Sequence, residues 1–220
     1  MMTDVVDSTA LRRTRGDRDA DDILALQAAI VHDHVLAFGG RVRKSLGDGF
    51  LLSFPSAVAA VRAATAIQLA LYEHNSADPQ RAVEIRIGIH TGDVTEREGD
   101  LYGQAVHAAA RVMAEAVGGQ ILTSYEVRKH TELQVDWSFL DSGLFWLRGF
   151  PERWRLYEVS WNPHLSGRPD QCCAGPAHAA RRAGSRAGNF APAHSRGLGW
   201  ARPVSTGRRR ARRRQVAAGS

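Results

Sequence analysis

The segment RVRKSLGDGFLLSF, residues 41–54, decides the fold. Two strand-like runs, RVRKSLG and FLLSF, flank Asp48-Gly49, and an Asp-Gly pair between such runs is the strongest short signal for a β-hairpin. Upstream, Leu24, Ala28, Val31, Val35 and Phe38 recur at three- and four-residue spacing from Asp21 onward. That period predicts an amphipathic helix, closed by Gly39-Gly40. Before it, DVVDST (residues 4–9) reads as a short strand ending in polar turn formers. Downstream, PSAVAAVRAATAIQLALYEHN (residues 55–75) predicts a helix with Pro55 in its first turn, and AVEIRIGIHTGDV (residues 82–94) alternates as a strand does.

Strand, helix, hairpin, helix, strand is the split βαβ order of a ferredoxin-like α+β fold, βαββαβ. The chain then extends it. GQAVHAAARVMAEAV (103–117) predicts an Ala-rich helix, GQILTS (119–124) a short strand and SYEVRKHT (124–131) a short helix. GLFWLRG and WRLYEVSW supply a closing pair of strands. The expected architecture is therefore a βαββαβ core with an additional C-terminal helix and hairpin.

Composition divides the chain at residue 161. Residues 1–161 hold 17 Lys+Arg against 22 Asp+Glu, whereas residues 162–220 hold 12 Arg, no Lys and one acid, Asp170. The formal net charge of +6 thus belongs to the tail, and it does not point to nucleic-acid binding by the domain. Residues 162–220 are rich in Ala, Arg, Gly, Pro and Ser, with few aliphatics and no sustained period. Such a segment cannot bury enough surface to offset chain entropy and is expected to be disordered. Its arginine run, RRRARRR at 208–214, would make non-specific contacts with nucleic acid or another polyanion. The only cysteines, Cys172 and Cys173, are adjacent, which gives neither a disulfide framework nor a zinc site. The most apolar stretch, residues 57–72, is interrupted by Arg62 and Gln68 and is too short to span a bilayer. With no signal-peptide pattern either, a cytoplasmic protein without a membrane partner is expected.

Four local features could carry chemistry. Asp4 ends a strand, and Ser8-Thr9 follow in a turn into a helix; free backbone N–H groups there suit phosphate, and a neighbouring carboxylate suits Mg²⁺. Taken alone, a plain Asx-turn or helix cap is the commoner reading of the same residues. Lys44 and Asp48 lie on the hairpin, where Asp-Gly alone is more often a turn than a ligand. A P-loop reading of GGRVRKS fails, because Arg43 stands where that motif needs glycine. Asp100 is placed in a loop, with His107 and Arg111 four apart on one face of the following helix. Arg148 precedes a Gly turn between the last two strands.

Taken in order, TDVVDST, KSLGDGFLLSF, IRIGIHTGDV, DLYGQAVHAAARV, GGQILTS and LRGFPERWRLYEV resemble the catalytic domain of the class III nucleotidyl cyclases, the adenylate and guanylate cyclases. The resemblance covers residues 2–160 and is strongest to soluble bacterial members. It implies the nucleotide cyclase fold over residues 1–161. It also implies that Asp4 and Asp48 bind two divalent cations, Mg²⁺ or Mn²⁺, in a two-metal displacement at the α-phosphorus. The Asp7-Ser8-Thr9 turn would hold β- and γ-phosphate oxygens, and Arg148 would contact the terminal phosphates. Lys44 and Asp100 match the pair that reads the base, and lysine with aspartate implies ATP. Arg111 would support charge on the α-phosphoryl group. Family members build the site between two domains, so a homodimer is implied, with Asp4 and Asp48 from one copy and Lys44, Asp100 and Arg111 from the other.

Two departures from the family pattern stand out. His107 occupies a position where active members carry asparagine, and the family's first strand begins several residues before the segment that holds Thr3-Asp4; Met2, where an aromatic residue is expected, is a tolerable core substitute. Only Met1-Met2 precede Thr3-Asp4, so Asp4 is expected on a frayed chain end. The resemblance therefore implies an adenylate cyclase forming 3′,5′-cyclic AMP and pyrophosphate. The alternative is a degenerate, catalytically inactive cyclase-homology module that dimerises or senses nucleotide.

Overall fold

A computed structural model describes residues 1–161 of the chain. The tail read from residue 162 onward, with its cysteines and arginine run, lies outside the described residues.

The hairpin is present. Strand β2 (Arg41–Ser45) pairs antiparallel with β3 (Gly49–Ser53) around the Leu46–Asp48 turn. Strand β1 (Met2–Val5) lies between β3 and β4 (Ile85–Ile89) and is antiparallel to both. The strand order β2-β3-β1-β4 is that of the ferredoxin-like core. Three further strands extend the sheet: β7 (Ile121–Ser124) parallel to β4, then β9 (Arg153–Ser160) and β8 (Ser138–Trp146). Strands β5 (Thr95–Arg97) and β6 (Asp100–Tyr102) form a separate two-stranded hairpin.

Five helices complete the domain: α1 (Ser8–Arg15), α2 (Asp17–Ala37), α3 (Ala57–Ala77), α4 (Gln104–Glu115) and α5 (Tyr125–Thr131). The first helical segment starts earlier than its apolar period suggested. Gly16, at φ +82°, separates α1 from α2, and the buried face of α2 runs through Ala20, Ile23, Gln27, Val31 and Val35. Leu24 and Ala28 are only partly buried at its edge. Pro55 does not enter α3. It stands before the N-cap Ser56, whose side chain accepts a hydrogen bond from the Ala59 N–H at 3.1 Å.

The β4 sequence Ile85-Arg86-Ile87-Gly88-Ile89 explains the layering. Its three isoleucines are fully buried, in one cluster with Val5, Phe50, Leu52, Ile23, Val61 and Ile67. Period-two alternation turns Arg86 and Gly88 to the other face, where α4 packs. A Cβ built on Gly88 would lie 2.2 Å from the Met113 backbone nitrogen. The α4 backbone therefore rests directly on β4, and glycine is required by contact rather than by φ. Met2, Leu51, Leu101 and Ala109 form the apolar cluster on this face.

The expectation that Asp4 sits on a frayed end is corrected by this topology. β1 is hydrogen-bonded on both edges, Met1 and Met2 are buried, and the Met1 amine donates to the Leu52 carbonyl at 3.0 Å.

Candidate active site

Gly49 shows why the hairpin reads GDG. A Cβ there would fall 2.1 Å from the Thr3 carbonyl oxygen and 3.1 Å from Asp4 Cα. The two backbones approach so closely at this register that only glycine fits. Gly47 turns the chain at φ +94°, a conformation that costs glycine little. The close approach sets Asp4 opposite Gly49, and the Val5 N–H bonds the Asp48 carbonyl at 3.1 Å. Asp4 and Asp48 thus lie at the same end of the adjacent strands β1 and β3.

Both are partly engaged. Asp48 Oδ2 accepts a hydrogen bond from Ser8 Oγ, which ties the β2–β3 turn to the first residue of α1. Asp4 Oδ2 accepts from Arg86 Nε at 2.8 Å and from Arg86 Nη2. The Oδ1 atom of each carboxylate has no protein donor among the described residues. Hard oxygens left open in this way suit Mg²⁺ or Mn²⁺, which take one or two carboxylates and complete their shell with water and substrate phosphates. Among the described residues no cluster of three or more His, Cys, Asp or Glu could hold a metal unaided. Asp4 and Asp48 alone make an incomplete donor set, which a bound cation would complete with other oxygens.

Ser8 and Thr9 open α1, and Thr9 is exposed. Asp7 precedes them at φ +53° without capping the helix through its side chain. The first backbone N–H groups of α1 therefore lack intrahelical partners.

Lys44 and Asp100 meet within the same chain. Lys44 Nζ donates to Asp100 Oδ2 at 2.8 Å, and the Leu101 N–H donates to Asp100 Oδ1 at 2.8 Å. The hydrogen bond with Asp100 pushes the Lys44 pKa up, and the same bond, then that from Leu101, pulls Asp100 down. Both groups are held charged. Asp100 is not in a loop, as the sequence suggested, but opens β6. A β5–β6 hairpin of three residues per strand was too short for its period to be read.

His107 and Arg111 lie on α4 one turn apart, with His107 exposed and Arg111 half-buried. Neither has a hydrogen bond or ion pair among the described residues. Arg148 is exposed in the β8–β9 connection. No hydrogen bond or ion pair joins the carboxylate pair, the Lys44–Asp100 pair, α4 and Arg148 to one another among the described residues. These four remain separate among the described residues.

The model for the adenylate and guanylate cyclase catalytic domain matches residues 1–159. The chain belongs to that family. An uncharacterized protein of Mycobacterium tuberculosis is 35% identical to the cyclase domain over 162 residues, covering 73% of this chain and 40% of that protein. An adenylate cyclase of Streptomyces coelicolor is 33% identical over 120 residues, covering 54% of this chain and 30% of the other. The cyclase domain thus spans less than half the length of these relatives. Among solved structures, an adenylate cyclase from Trypanosoma brucei, described in its monomeric state, superposes with a TM-score of 0.66 at 26% identity. The superposition covers 77% of this chain and 90% of that one. The observed sheet is the nucleotide cyclase fold expected from the motifs.

Sequence reasoning missed Arg86. The signal was present: a charged residue between two isoleucines that are buried must find a partner on the opposite face, and there it meets Asp4, its cross-strand neighbour. Arg43 was also passed over. A register shift between Val42 and Lys44 lets Arg43 reach Glu96 at 2.8 Å while Lys44 reaches Asp100. Consecutive residues of a regular strand would point to opposite faces.

Proposed function

We propose that the domain is an adenylate cyclase, closing ATP to 3′,5′-cyclic AMP with release of pyrophosphate, at sites shared between two copies of the chain. The observation that carries this reading is the Lys44–Asp100 pair, a cationic donor 2.8 Å from an anionic acceptor. Lys44 retains two N–H donors beyond the one given to Asp100. Adenine offers an acceptor at N1 beside a donor at its 6-amino group. Guanine offers the reverse, a donor at N1 beside an acceptor at O6, so this pair favours ATP.

Asp4 and Asp48 would hold Mg²⁺ or Mn²⁺ through their open oxygens, and the ions would lower the charge on the triphosphate and the pKa of the ribose 3′-hydroxyl. The first backbone N–H groups of α1, at Ser8 and Thr9, would hold β- and γ-phosphate oxygens. Arg111 supplies positive charge for the α-phosphoryl group as the 3′-oxygen attacks it. His107, one turn earlier, offers an imidazole N–H to the ribose or α-phosphate. Arg148 meets the terminal phosphates. The carboxylates and Arg111 on α4 form separate groups in one chain, which supports a two-fold dimer that brings each group to its complement in the partner.

A second reading, an inactive cyclase-homology module, is favoured by the double donation from Arg86 to Asp4. In that case the guanidinium neutralises the carboxylate permanently. Cyclic-nucleotide formation by purified protein with Mn²⁺ separates the two. The adenylate cyclase makes cyclic AMP from ATP in preference to cyclic GMP from GTP, and Asp48→Ala abolishes it. Absence of product from the wild type supports the inactive module, and a GTP preference overturns the role given to Lys44 and Asp100.

A further inference from the structure

The β5–β6 hairpin stands off the main sheet, and two three-residue strands are not stable alone. Leu101 anchors it by burying against α4. Two ion pairs tie it to β2, one for each of its strands. Lys44 holds Asp100 on β6, and Arg43 holds Glu96 on β5. The second tie is the stiffer. Arg43 is 15% exposed, and its planar fork is fixed by Nε donating to Ser53 Oγ on β3 at 2.7 Å while Nη1 donates to Glu96. The line Ser53–Arg43–Glu96 therefore connects the main sheet to the strand paired with β6.

From this geometry we infer that Arg43 and Glu96 are positioning residues for base selection, holding Asp100 at the distance from Lys44 that lets the two read one purine edge. With the Arg43–Glu96 tie broken, the hairpin can pivot about Leu101 and the flexible Lys44 stem. The inference rests on the base-reading role given to Lys44 and Asp100, but the position of Asp100 can be measured without nucleotide.

Glu96→Ala is the test. Glu96 is half-exposed, so the variant is expected to fold, and its amide spectrum checks this. The first readout is the Asp100 carboxylate, titrated by NMR in the nucleotide-free protein. Deleting a neighbouring negative charge would by itself lower the Asp100 pKa. Loss of positioning does the opposite, raising it toward the ordinary carboxylate value as the Lys44 contact loosens. A rise supports the inference, and a fall or no change overturns it. The second readout is the ratio of kcat/KM for ATP over GTP. The variant is expected to lose about tenfold of it through KM, with kcat little changed. An unchanged ratio in the variant of an ATP-selective wild type overturns the inference. A wild type that does not discriminate overturns the base-reading role instead, and the carboxylate titration still decides the positioning role.

Discussion

Replacing Gly49 with alanine tests the geometry on which the carboxylate pair depends. The new Cβ would start 2.1 Å from the Thr3 carbonyl oxygen and 3.1 Å from Asp4 Cα. Both are backbone atoms of β1, which is hydrogen-bonded to β3 and β4, so neither can swing aside as a side chain would. Relief requires β1 and β3 to part by about 1 Å at Asp4, and overpacking of this kind costs about 3 kcal/mol. In a chain of this size that lowers Tm by about 6–12 °C. On the cation-binding role proposed for Asp4, which moves with the strand, Mn²⁺ binding is expected to weaken as well. Gly47→Ala is the control. It has open space around it but φ +94°, so it costs about 1 kcal/mol through backbone strain alone. Urea unfolding of the three proteins provides the measurement. A Gly49→Ala protein as stable as Gly47→Ala, with unchanged Mn²⁺ binding, would refute the close approach of β1 and β3.

Other consequences follow from single contacts. Arg86→Gln leaves the half-buried Asp4 carboxylate without its guanidinium, with an expected loss of roughly 2 kcal/mol. Saturating Mn²⁺ should recover part of that loss by replacing the missing charge, and a thermal-shift titration reads both effects. Burial is the main cause holding the His90 pKa below its ordinary 6.5, outweighing the carboxylate of Glu126 at 3.8 Å. The unfolded chain then binds the proton more readily, so stability is full above pH 6.5 and falls as pH drops through the lowered folded pKa. His90→Gln should flatten that slope in denaturation curves taken from pH 7.5 to 5, and an unchanged slope would contradict it. Ile87→Ala opens a void in the fully buried β4 row, with an expected cost of about 3–4 kcal/mol in urea unfolding.

The core was legible because its signals are local. Asp48-Gly49 signals the hairpin, with the turn itself at Leu46–Asp48 and Gly49 opening β3, and the isoleucine alternation of β4 fixes which face is buried. The extent of the helices was less legible. α1 has no buried residue, so it leaves no apolar period to find, and Gly16 is a stop signal with no recognised helix before it to end. At the site, Lys44 and Asp100 were identified from motif order, yet their contact spans 56 residues of sequence. It depends on a bulge that alternation cannot register. Arg86 was missed for a related reason: its role is set by a cross-strand neighbour, and strand pairing is not written in either strand alone.

The measurement that bears most directly on a shared adenylate cyclase site is complementation between two disabled variants. Asp48→Ala removes a cation ligand from one half of the site, and Arg111→Ala removes the α-phosphoryl cation from the other. Each alone should make little cyclic AMP. Mixed in equal amounts and allowed to exchange subunits, half the dimers combine one variant of each kind, and each of these holds one intact site. Activity should therefore return to about a quarter of the wild-type value. A mixture as inactive as its parents, beside an active wild type, would contradict a site built from two copies of this chain.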